Sequence, residues 1–185
     1  MGGVYHIINR GNRRQPLFRC ETDYADFLSI MEDIWHGFPF TVHCFCLMTN
    51  HFHFQVAVVD EQTISEAFRR ICSAYARSYN QRYRYTGHLF QDRFAAYTID
   101  SEQYFYETSR YIHRNPVKAR MVRDVADYPY SSYRMFTGEV ACPPFMRVDR
   151  VLDGFQGNVD RYHAFVMGTG YPELSEKVEA DVKGA

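Results

Sequence analysis

The chain has 185 residues, 46% of them hydrophobic and 23% charged, with a formal net charge of −1. That is enough apolar material for one buried core and too little charge for wholesale disorder, and no apolar run reaches the roughly 20 residues that cross a bilayer. Five cysteines without a CxxC pair argue against a disulfide framework and a zinc knuckle, and the N-terminus lacks the pattern of a secretion signal, so a cytoplasmic protein is expected.

The segment 4–11, VYHIINRG, reads as a strand ended by Gly11. Thr22 is expected to cap a helix whose apolar positions Tyr24, Phe27, Leu28, Met31, Ile34 and Trp35 repeat at three and four, closed by Gly37 and Pro39. FTVHCFCLM, 40–48, is apolar nearly throughout without a helical period and reads as an inner strand covered on both faces. Thr49 and Asn50 turn it into a partner strand, 51–59. Thr63 with Glu66 forms a capping-box signature for a long helix marked by Ile64, Phe68, Ile71, Tyr75 and Tyr79, running to about Tyr83 and broken by Gly87. A fourth strand is expected over 93–99. Asp100 with Gln103 opens a further helix, which Asn115-Pro116 should stop, because the residue before proline avoids the helical region.

From about 124 the chain is turn-rich, with a short segment near 158–166 and a polar last dozen residues expected to be loosely held. The order β-α-β-β-α-β, then α, predicts an α+β, ferredoxin-like split βαβ fold, with an antiparallel sheet and helices packed on one face. The boundary between this domain and a partly irregular C-terminal extension is set at 137/138.

The near-zero net charge hides three basic stretches. Arg10, Arg13, Arg14 and Arg19 lie in a segment with no acid. From Arg69 to Phe94, six arginines, among them Arg82, Arg84 and Arg93, face Asp92 alone. Arg110, Arg114, Lys118, Arg120 and Arg123 form the third stretch, again without an acid. A basic groove for a polyanion is one reading, and solvated helix faces are the other. Tyr75, Tyr79, Tyr83 and Tyr85 interleave with Arg77, Arg82 and Arg84, which suits stacking on single-stranded nucleic acid or simply a helix that packs its tyrosines.

His51 and His53 stand two apart on a strand, so both imidazoles point to one face. Tyr111 and Asn115 are four apart on a helix, with Arg110, Arg114 and Lys118 around them, and neighbouring cations lower the cost of ionising a phenol. A divalent ion held by two imidazoles and an amide oxygen would leave positions open for phosphate oxygens, and a tyrosinate could attack the phosphorus. Each part also has a bland explanation. A strand end can hold two partly solvated rings, and Tyr104, Thr108 and Tyr111 can be a packed stripe.

The stretch CLMTNHFHFQV resembles the HUH strand of single-tyrosine transposases, with Phe52 as the bulky apolar residue, and YIHRNPVKARMV (111–122) resembles their nucleophile helix. INRGNRRQPLF, TGHLFQDRF and DYPYSSY complete the pattern of the REP-associated tyrosine transposases, in order, over about residues 4–137. The resemblance implies an HUH nuclease type of ferredoxin-like fold with a Mg²⁺ or Mn²⁺ ion. It implies cleavage and joining of single-stranded DNA, often beside a small hairpin, through a 5′-phosphotyrosine that frees a 3′ hydroxyl. By position, Tyr111 matches the nucleophile, His51 and His53 the metal histidines, and Asn115 the third ligand. Arg10, Arg13, Arg14, Arg82, Arg84, Arg93, Arg110, Arg114 and Lys118 are the expected DNA contacts. The family includes dimers that exchange nucleophile helices and a REP-associated branch thought to act as monomers, so monomer or homodimer stays open. Gln55 departs from the pattern, since it lies in phase with the histidines where an aliphatic residue is expected. Two other functions fit the residues: a binding module for structured single-stranded nucleic acid without catalysis, and a zinc protein joining Cys44 or Cys46 to the histidines.

Overall fold

Four strands and seven α-helices follow one another in the structure, a computed structural model that describes residues 2–168 and 170–183; Gly184 and Ala185 of the polar tail lie outside the described residues. Strands β1 (Gly3–Arg10), β2 (Thr41–Met48), β3 (His51–Val58) and β4 (Ala95–Ile99) make one antiparallel sheet in the order β2-β3-β1-β4. Helix α1 (Glu21–Trp35) joins β1 to β2, α2 (Glu61–Tyr83) joins β3 to β4, and α3 (Glu102–Lys118) follows β4. The chain continues through α4 (Tyr133–Phe136), α5 (Asp149–Asp153), α6 (Val159–Met167) and α7 (Pro172–Lys183). This is the expected α+β plan.

Side-chain alternation along β3 decides which layer each helix occupies. Phe52, Phe54 and Val56 point to one face. Phe54 packs 6.0 Å from Phe27 of α1 and 5.8 Å from Phe68 of α2, ring centre to ring centre, and Phe52 lies 5.1 Å from Phe27. The two helices within the βαββαβ unit therefore share this face, as expected. His53 and Gln55 point to the other, where the Gln55 Nε2 donates to the Phe105 carbonyl of α3 at 2.9 Å. Strand β2 is covered on both sides, as its unbroken apolar run requires. Its free edge is closed by irregular chain: Leu47 N–H donates to Tyr130 O, Ser132 N–H to Phe45 O, and Val42 N–H to Phe145 O. That pairing blunts an edge that would otherwise recruit another chain.

Several local expectations shift. The N-cap of α1 is Cys20 rather than Thr22, because Asp23 reaches back to the N–H groups of Arg19 and Cys20. Helix α2 is capped by Asp60, which accepts from Thr63 N–H at 2.8 Å, while Glu66 pairs with Arg69 and Arg70. Ser101 caps α3 by accepting from Tyr104 N–H. Pro116 does not stop α3, which runs on to Lys118. So near the end the missing N–H removes one hydrogen bond, and Ala119 N–H to Asn115 O with Met121 N–H to Pro116 O close the turn instead.

The C-terminal segment is docked rather than loosely held. Val178 of α7 is fully buried, Tyr104 of α3 donates to Asp181, and Lys118 and Lys177 pair with Glu179 and Asp100. Buried Glu107 and Arg110 of α3 form an ion pair at 2.9 Å. Arg110 also donates to Gly168 O and Ser175 Oγ, and Glu107 accepts from Tyr171 N–H. Gly170 adopts φ +63°, and a Cβ there would overlap Arg110 and Glu107, so the chain passes this clasp only as glycine.

His113 links α3 to the C-terminal layer through Tyr162 Oη at 2.7 Å and Ser132 Oγ at 2.8 Å. Burial lowers its pKa to about 3. The unfolded chain takes up this proton near pH 6.5 and the folded chain only near 3, so stability present above pH 6.5 falls as the pH drops between them. Urea unfolding at pH 7.0, 5.5 and 4.5 should show this decline. The variant His113→Gln should start about 1–3 kcal/mol lower at pH 7 and lose stability less steeply on acidification, by up to about 1.4 kcal/mol per pH unit.

Candidate active site

Strand β3 starts directly after the two-residue turn, so His51 and His53 lie at the sheet end where three loops are tied together. Gly11 N–H donates to Asn50 O, Leu17 N–H to Thr49 O, Asn12 N–H to Leu89 O and Gln91 N–H to Arg10 O. His51 is half-buried and donates from Nδ1 to Asn50 Oδ1 at 2.7 Å, since the amide oxygen can only accept. His53 is fully buried, and its Nε2 has no hydrogen-bond partner. The two rings meet edge to face with centres 4.9 Å apart.

Tyr111, half-buried on α3, comes to this pair. Its ring centre is 5.7 Å from that of His53. It also packs 6.1 Å from His6, a β1 residue that sequence reasoning missed. His6 becomes visible only once β1 is paired beside β3, and single-strand periodicity does not give that pairing. Asn115, one turn after Tyr111, is buried and donates from Nδ2 to the Tyr111 carbonyl at 3.0 Å, which leaves its Oδ1 for another partner.

Burial holds His51 down to about 4, with Arg10 adding to the effect, and holds His53 well below its ordinary range. Both imidazoles are therefore neutral at neutral pH and keep lone pairs for a cation. The phenol behaves differently from expectation. Burial pushes Tyr111 up to about 12, the Glu179 carboxylate pushes the same way, and Arg10 opposes them. The cations of its own helix do not ease its ionisation, because Arg110 and Arg114 turn to the carbonyl of Gly168 and Lys118 is paired with Glu179. The Lys118 Nζ nevertheless sits 5.4 Å from the centre of the Tyr111 ring.

The expected DNA contacts divide in the same way. Arg13, Arg14, Arg84 and Arg93 are exposed, and Arg10 lies beside His51 in register. Arg82 is held by Asp23 and Asp26. Gln55 does face the His53 side, but its amide is spent between the Cys44 thiol, which donates to Oε1 at 3.2 Å, and Phe105 O. The two thiols of the zinc reading are engaged inside the protein, Cys44 with Gln55 and Cys46 with Met48, and among the described residues no group of three His, Cys, Asp or Glu side chains is arranged to hold one ion. A groove of about 1030 Å³ between α2 and the 87–94 loop, lined by Asn9, Arg69, Cys72, His88 and Arg93 among others, does not include His51 or His53.

Comparison with known proteins is consistent with this geometry. A protein of Haemophilus influenzae named as a candidate REP-associated tyrosine transposase is 28% identical over 146 residues, 71% of this chain and 80% of that one. A solved structure of a REP-associated tyrosine transposase bound to a REP hairpin superposes with a TM-score of 0.65 at 21% identity, over 76% of this chain and 82% of that one. The family model described as "Transposase IS200 like" matches residues 2–115, more than half of the chain. The chain belongs to the IS200-like transposase family.

Proposed function

We propose that this transposase cleaves and rejoins single-stranded DNA beside REP-like hairpins, with Tyr111 as nucleophile and a Mg²⁺ or Mn²⁺ ion held by His51, His53 and Asn115. The observation that carries the reading is the packing of the Tyr111 ring against His53, whose buried Nε2 has no partner inside the protein. Two imidazole nitrogens and one amide oxygen make a mixed nitrogen–oxygen set, which a first-row ion such as Mn²⁺ accepts more readily than Mg²⁺. His51 and Asn115 each commit one polar atom internally, so the His51 Nε2, the Asn115 Oδ1 and the His53 Nε2 are the atoms left uncommitted. When bound, the ion polarises the scissile phosphate and offsets charge on it.

The steps assigned to the chain are these. The Tyr111 oxygen forms a bond to phosphorus as its proton passes to solvent. The bond from phosphorus to the 3′ oxygen breaks, and that oxygen takes up a proton as a free 3′ hydroxyl. The 5′-phosphotyrosine conserves the bond energy, so attack by a 3′ hydroxyl restores the DNA without ATP. Arg10 faces His51 across the β1–β3 pairing, and exposed Arg13, Arg14, Arg84 and Arg93 are the residues left to hold backbone phosphates. Residues 1–137 would form the catalytic unit and 138–185 an extension that buttresses α3. The DNA substrate places this activity with the chromosome, in the cytoplasm.

The variant Tyr111→Phe should abolish the covalent adduct with a single-stranded hairpin oligonucleotide, seen as a shifted band on a denaturing gel, and keep hairpin binding within about threefold. Adduct formed by the Phe variant would move the role to another tyrosine, and binding without any adduct in the wild type would favour a non-catalytic module. Glu179→Gln removes the carboxylate that raises the phenol and frees Lys118 beside it. The rising limb of the pH–rate profile for adduct formation should therefore move to lower pH. An unmoved or higher limb would remove Glu179 from the electrostatics of the site.

A further inference from the structure

His6 stands on the same sheet face as His53, diagonal to it across the β1–β3 pairing, in which His6 faces Gln55 and Ile8 faces His53. The His6 Nε2 lies 3.1 Å from the His53 Nδ1, and the two rings stack with centres 5.2 Å apart. Both side chains are fully buried. The nitrogens they have left, His6 Nδ1 and His53 Nε2, have no partner.

A short contact between two ring nitrogens holds one proton, and with both rings neutral there are two ways to place it. If His53 donates from Nδ1 to His6 Nε2, the His53 Nε2 keeps its lone pair. If His6 donates from Nε2, His53 carries its own proton on Nε2 and cannot ligate a cation. Each arrangement leaves one buried N–H without an acceptor, so the protein alone gives little preference between them. Ligation of His53 Nε2 is possible in only one. His51 is already fixed in the matching tautomer by the Asn50 oxygen.

Building on the metal reading given above, we infer that His6 is a positioning residue for the metal centre. It accepts the Nδ1 proton of His53, thereby holding that imidazole as the tautomer that presents Nε2 to the divalent cation. Its own Nε2 is committed to His53 and is not offered to the ion. A partner of this kind orients a ligating histidine and raises its basicity, and loss of such a partner typically costs about 10–100-fold in metal affinity.

The test uses the full chain and two readouts. In the first, nitrogen NMR of the wild type is recorded with and without Zn²⁺ as a diamagnetic probe. His53 should settle on zinc loading as the Nδ1–H tautomer, with a coupling across the N–H···N bond to His6. In the second, Mn²⁺ affinity is read by paramagnetic resonance of the free ion. His6→Leu should weaken it by about 10–100-fold, and His6→Gln, whose amide oxygen can accept the same proton, should restore most of the loss. Melting curves establish that both variants fold, and the NMR arm needs neither variant. A loaded His53 protonated on Nε2, ligation by His6 itself, or a folded His6→Leu that binds Mn²⁺ as tightly as wild type would overturn the inference while leaving the metal reading intact. Mn²⁺ binding unaffected by His51→Ala and His53→Ala would overturn both.

Discussion

The two-residue repeat of strand β3 is the constraint on which the rest depends. Successive side chains must point to opposite sheet faces, so HFHFQV is two sequences interleaved. Phe52, Phe54 and Val56 go to the layer of α1 and α2, where aromatic rings from three elements interlock. His51, His53 and Gln55 go to the layer of α3. A slip of one residue would put imidazoles in the aromatic core and phenylalanines against α3. The apolar half of the strand thus fixes the register, and the register delivers the polar half to the site.

What remains is to hold α3 at the right height above that polar row. Gln55 ties Phe105 to the sheet a turn and a half before Tyr111. The buried pair of Glu107 and Arg110 ties the same helix to Gly168, Tyr171 and Ser175. A buried ion pair contributes little net stability against an apolar alternative but defines geometry, because every group in it needs its partners. The pair therefore fixes the position of α3 more than it adds stability. The consequence for chemistry is a phenol that is half-buried, near neutral imidazoles and near an acid of α7. Burial and the Glu179 carboxylate raise its proton affinity, and Arg10 lowers it. The nearby imidazoles and amide oxygen are where compensating positive charge would have to enter.

Much of this was legible in the sequence. The element order came from periodicity, and the sheet plan followed from it. The pairing of Tyr111 with the histidines rested on a resemblance across five motifs, because spacing along the chain cannot say how far α3 lies from β3. The unread parts share a cause, namely contacts between segments distant in sequence. His6 looked like one polar residue in an apolar strand until β1 paired with β3. Arg82, Arg110 and Arg114 looked like free cations, and their carboxylate and carbonyl partners lie in α1, in α3 itself and at Gly168. The polar tail looked unanchored because its docking uses one buried valine and charges matched to Lys118 of α3 and to Asp100 just before it, a pattern with no apolar run to announce it.

The account stands on Tyr111 being the atom source that attacks phosphorus. The most direct measurement is to trap the covalent adduct with a labelled single-stranded hairpin, digest it with trypsin and identify the nucleotide-bearing peptide by mass spectrometry. The account predicts the label on residues 111–114, the peptide YIHR. Label on residues 94–110, which carry Tyr97, Tyr104 and Tyr106, would contradict it.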